Sequence, residues 1–152
     1  MEKEKTIDAL NSLVIINNDR IEGYETASSE TEEQDLKVLF AKFAQTSQKI
    51  KQELVSEING LGGEPAEGTR VSGKIYRVWM DVKAAVTGKD RKGILNSCEY
   101  GEDMALDTYE NALKDHHSDL TSNQQSMITA QRELIRADHD KVKKMRDAVV
   151  AD

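Results

Sequence analysis

Five residues have side chains and spacing suited to holding a cation: Glu22, Glu99, Glu102, Asp138 and His139. Carboxylate oxygens and imidazole nitrogens bind divalent metals at about 2 Å, so ligands from separate helices must meet at one level. Counted from one end of a helical bundle, Asn17, Glu102 and Asp138 each fall about eleven or twelve residues along their predicted helices. At about 1.5 Å per residue they lie within roughly one turn of each other. Glu102 and Asp138 sit near the middle of apolar stripes, Glu99 is one turn from Glu102, and His139 adjoins Asp138. Glu22 is near the same level but off its helix's core stripe. Iron, manganese or zinc is the cofactor such a donor set would take.

A buried carboxylate is costly unless it is paired, protonated or bound to a cation. Two readings follow. In one, Glu102 joins Asn17, Asp138 and Tyr109 or Tyr24 in a hydrogen-bonded polar layer that fixes helix register. In the other, the five residues form a mononuclear or degenerate metal site. An intact carboxylate dimetal centre needs Glu-x-x-His on two helices, and the sequence contains no such motif. The second helix offers only Phe40, Phe43 and Ser47 at this level. No nucleophile elbow or Cys-His signature accompanies the serines and histidines, so no catalytic residue is assigned and an enzyme is not expected. Cys98, on a core stripe, reads as a small inert apolar residue. His116 and His117 fall at a helix end, and Glu53 and Glu57 on a flank that reads as solvated.

Five segments must position these side chains. Ile7, Leu10, Val14, Asn17, Ile21 and Tyr24 share a stripe in a helix predicted over about Lys3 to Ala27. Thr31 and the acids after it predict the N-terminus of a second helix. Its stripe is Leu36, Phe40, Phe43, Ser47, Ile50, Leu54, Ile58 and Leu61, and Gly60, Gly62 and Gly63 end it. The loop through Pro65 and Gly68 leads to a shorter helix, about Val71 to Val86, whose Ile75, Trp79, Val82 and Val86 share a face. A fourth segment, about Asp90 to His116, buries Leu95, Cys98, Glu102, Ala105, Leu106, Tyr109 and Leu113. The fifth, about Asp119 to Val149, is capped by Asp119, Thr121 or Ser122. Its stripe reads Leu120, Met127, Leu134, Val142, Met145 and Val149.

Four segments are long and the middle one short, which predicts a four-helix bundle with a long crossover that carries an extra helix. An up-down-up-down bundle of five helices is the alternative. The whole chain, residues 1–152, fits one all-α domain. Its net charge of −7 disfavours nucleic acid, which binds by exchanging phosphate counterions for Lys and Arg. No run of residues is apolar enough to span a membrane, and no apolar leader opens the chain. With one cysteine, a reducing, cytoplasmic setting is expected.

LNSLVIINNDRIEGYETA (Leu10 to Ala27), INGLGGEP (Ile58 to Pro65), RVWMDVKAAVTG (Arg77 to Gly88), CEYGEDMAL (Cys98 to Leu106) and ADHDKVKKMRD (Ala137 to Asp147) occur in order along nearly the whole chain. As a set they resemble an uncharacterised bacterial family of ferritin-like four-helix-bundle proteins of about 150 residues. That resemblance implies the fold, with the extra helix in its B–C crossover, and carries no settled activity. The expectation for function is a noncatalytic bundle that self-associates as a homo-oligomer or binds a partner, with stress physiology suggested by analogy of fold. The alternative is a metal-binding or oxidase-like protein using the Glu102 layer.

Overall fold

The computed structural model describes residues 2–67 and 91–149. The short helix expected at about Val71 to Val86, with Trp79, lies outside them. Among the described residues the chain forms four α-helices: α1 (Glu2–Glu30), α2 (Gln34–Gly60), α3 (Arg91–Asp115) and α4 (Ser122–Asp147). A 3-10 turn, His117–Asp119, precedes α4. None of these helices is long and apolar enough to cross a membrane.

Side-chain bonds between helices fix their directions. Ser28 bonds Lys37 near the α1–α2 turn and Arg20 bonds Ser47 further along, so α1 and α2 run antiparallel. Down α1, Arg20, Asn17 and Thr6 meet Glu102, Tyr109 and Asp119 in turn, so α3 opposes α1. Gln131 and Gln124 of α4 meet Glu53 and Glu57 of α2, again antiparallel. Arg91 pairs with Glu33 and Asp35 at the start of α2, while Glu102 and Ser47 share Arg20. The second and third helices therefore run parallel. The chain leaves α2 at one end of the bundle and re-enters at Arg91 beside the other, about 40 Å away for a helix of this length.

Local chemistry explains where the helices stop. At the end of α2, Gly63 N–H donates to Ile58 O and Gly62 N–H to Asn59 O, each at 3.0 Å. Gly62 has φ 78°. This is a Schellman stop, and it needs a residue that tolerates left-handed backbone. Asn11 then pins the following loop, donating to Glu64 O at 3.0 Å and accepting from Ala66 N–H at 2.7 Å. The second helix begins one turn-half later than the threonine suggested. Glu33 occupies the N-cap without a side-chain capping bond, its carboxylate being turned to Arg91, while the buried Thr31 hydroxyl accepts from Glu33 N–H at 3.3 Å.

Of the three candidate caps for α4, Thr121 holds the position. Its hydroxyl accepts from Gln124 N–H at 3.1 Å and the Gln124 side chain accepts from Thr121 N–H at 2.9 Å. Losing the hydroxyl half of this pair in Thr121→Ala is expected to cost about 1 kcal/mol, read from the urea midpoint.

The core is continuous across the four helices. α2 and α3 bury the expected stripes except at Leu61 and Leu113, which are half-buried, and Ile94, Gly101 and Ala112 widen that of α3. Two helices depart from expectation. α1 extends to Glu30 and buries Leu13, Ile15 and Ile16 as well as Leu10 and Val14, because it packs against both α2 and α3. In α4 the inner stripe is Gln124, Ile128, Gln131, Ile135 and Val142, while Leu134 is 48 % exposed. Two glutamines occupy core positions there, which shifts the true stripe one residue from the purely apolar reading.

Candidate functional site: a buried guanidinium and its carboxylates

Arg20 lies three residues after Asn17 and four before Tyr24, so helical geometry puts all three on one face of α1. That face is interior, and Arg20 is fully buried. Its Nε donates to Glu102 Oε1 at 2.6 Å and its NH2 to Glu102 Oε2 at 2.9 Å, the fork geometry of a bidentate pair. NH2 also donates to Asp138 Oδ2 at 3.1 Å, and NH1 donates to the Ser47 hydroxyl. Cζ stands 5.4 Å from the centre of the Tyr24 ring, close enough for a cation–π contact. Four of the five guanidinium N–H groups are thus engaged.

From Ser47 a chain of hydrogen bonds runs in one sense through the interior. Ser47 Oγ donates to Asn17 Oδ1 at 2.9 Å, and Asn17 Nδ2 donates to Tyr109 OH at 2.9 Å and to Leu13 O at 2.8 Å. Tyr109 OH donates to Gln131 Oε1 at 2.9 Å, and Gln131 Nε2 reaches Glu53 Oε1 at 3.4 Å. All four helices contribute, and the chain leads from a cation to an anion, so each donor polarises the next.

Burial works against the charge on Arg20, but Glu102, with help from Tyr24 and Asp138, more than offsets it and raises the pKa. Burial likewise pushes the carboxyls of Glu102 and Asp138 above the usual carboxylate range, and Arg20 opposes that shift in both. Burial also raises the Tyr109 phenol, against the pull of Asn17, and the Cys98 thiol, which is therefore a poor nucleophile.

The two carboxylates share one guanidinium, so fully ionised the trio carries a net negative charge that one proton would cancel. A carboxyl with a raised folded-state pKa takes up its proton earlier in the folded than in the unfolded chain as pH falls. In that window the stability it contributes rises with acidification and declines as pH climbs through the folded pKa. The stability of the wild type relative to Glu102→Gln is therefore expected to rise as pH falls toward the ordinary carboxylate range, measured by urea unfolding at each pH.

The structure divides the five sequence-derived candidates. Glu102 and Asp138 meet on Arg20. Glu99 and His139 gather instead with the exposed Asp103, their ligating atoms all within 4.8 Å of one another. Glu22 is exposed and lines an outer groove between α1 and the loop after α2, beside Ile21, Lys51 and Val55. The donor set that a bridged dimetal centre requires does not fit the interior. Both oxygens of Glu102 are bonded to a guanidinium, and no histidine joins Asn17, Ser47, Tyr109 and Gln131 around it.

Sequence reasoning missed Arg20 and Gln131, the cation and the α4 amide of this layer. Their positions on core stripes were the available signal, Arg20 between Asn17 and Tyr24 and Gln131 between Ile128 and Ile135. Of Glu53 and Glu57, both read as solvated, Glu53 is exposed and Glu57 half-buried, and they also accept hydrogen bonds from Gln131 and Gln124. His116, just past the end of α3, makes no side-chain capping bond and pairs instead with Asp119, Nδ1 to Oδ2 3.1 Å.

Compared with curated proteins, the chain matches none. A family profile does match, over residues 5–115, a span that holds α1 from Lys5, α2 and α3, including Arg20, Ser47, Glu102 and Tyr109. By that match the chain belongs to the family described as "Domain of unknown function (DUF2383)".

Proposed function

We propose that the protein is a noncatalytic, ferritin-like helical bundle that acts as a scaffold, binding a partner or a second copy of itself. One observation carries the noncatalytic reading. The place where a bundle of this kind would hold metal is filled by Arg20, whose guanidinium takes both oxygens of Glu102 and one of Asp138. The ferritin-like assignment rests on antiparallel neighbours around the ring and a parallel α2 and α3 joined by a long connection. Stress physiology enters by analogy of fold.

The alternative, an oxidase-like metal centre in the bundle, would need the carboxylates that Arg20 occupies. Ferrous iron added anaerobically and then exposed to oxygen is expected to oxidise no faster with protein than in buffer. Faster oxidation that disappears in Glu102→Gln would overturn the noncatalytic reading. Light scattering tests the self-association half, where a strict monomer at high concentration would remove it.

A further inference from the structure

We infer that Glu99, Asp103 and His139 form a binding site for one divalent transition cation of the zinc class on the α3–α4 face, separate from the Arg20 layer. Glu99 and Asp103 are four residues apart on α3, so their carboxylates project from the same side of that helix. His139 reaches them from α4. Its Nε2 is screened from solvent and lies 2.7 Å from Asp103 Oδ1, off the line of a hydrogen bond. Its other nitrogen, Nδ1, lies 3.1 Å from Asp140 Oδ1. A carboxylate that accepts a hydrogen bond from Nδ1–H leaves Nε2 with its lone pair, the tautomer a metal-ligating histidine needs. The nitrogen that faces the two carboxylates is thus the one presented as a ligand.

The donor atoms of the three residues lie within 4.8 Å of each other. Tetrahedral zinc, with bonds of about 2.0–2.2 Å, holds its ligands about 3.3–3.5 Å apart. Adjustment by at most about 1.5 Å therefore suffices, and the 56 % exposed Asp103, now 2.7 Å from Nε2, has room to shift. Arg146 holds Glu99 through Oε2 and is itself bonded to Asp147 at 2.9 Å, so its charge is shared between two carboxylates. One imidazole and two carboxylates suit zinc, manganese or ferrous iron better than calcium or magnesium, which take all-oxygen shells. Three protein ligands leave room for water.

The test is calorimetric titration of the chelator-treated full chain with zinc chloride, in excess magnesium. One equivalent is expected to bind. His139→Ala is expected to weaken binding at least about tenfold, as is Asp103→Asn, whose exposed side chain leaves the core packing untouched. Asp140→Asn should weaken binding about tenfold while leaving stoichiometry at one. Glu102→Gln should leave zinc binding unchanged, which separates this site from the bundle interior. No binding below millimolar zinc would overturn the proposal. So would binding that survives both His139→Ala and Asp103→Asn, or that is lost instead on changing His116 and His117.

Discussion

Arg20→Met is expected to lower the free energy of unfolding by about 3–5 kcal/mol, because it leaves Glu102 and Asp138 facing each other without their cation. With a urea m-value of about 2 kcal/mol/M, the midpoint would fall by roughly 2 M. The loss should be one of compensation more than of attraction. Arg20→Met/Glu102→Met, which removes both charges of the bidentate pair and fills the volume with apolar atoms, is therefore expected to regain most of the stability. A single Arg20→Met change costing under about 1 kcal/mol would show that the carboxylates find their satisfaction elsewhere.

Tyr24→Ala should cost about as much, about 3–5 kcal/mol, by a different route. The ring is fully buried, with Phe43 edge-on at 5.1 Å and Phe40 at 5.5 Å between centroids. Truncation leaves a cavity between α1 and α2 that two rigid rings cannot collapse to fill. Because Tyr24 also underlies the Arg20 guanidinium, the two positions should not act independently. Combining Tyr24→Ala with Arg20→Met is expected to cost less than the sum by about 0.5–2 kcal/mol, measured as a double-mutant cycle in urea.

Much of the architecture was legible because apolar residues recur every three or four positions in α2 and α3, and the structure buries Leu36, Phe40, Phe43, Ile50, Leu54 and Ile58 as that period requires. Stop signals were equally readable, since the glycines at residues 60, 62 and 63 do end α2. The level of Asn17, Glu102 and Asp138 also emerged from counting rises per residue, and Asn17 and Glu102 lie in one connected layer through Ser47 and Arg20. What stayed hidden was polar chemistry on interior faces. Arginine is nearly always solvated, so a buried one is invisible to a rule that equates charge with surface. Gln124 and Gln131 concealed the α4 stripe for the same reason, and Leu134 stood in for them. The clue was relational: an unmatched carboxylate at Glu102 demands a counter-charge at its own height, and Arg20 is the side chain that answers it.

A bundle whose buried positive charge is an amino acid carries the counter-charge of its interior carboxylates in its own sequence. Glu102 meets Arg20 as soon as α1 and α3 dock. Forming this pair therefore calls on no ion from outside the chain, and its strength does not follow the supply of any metal.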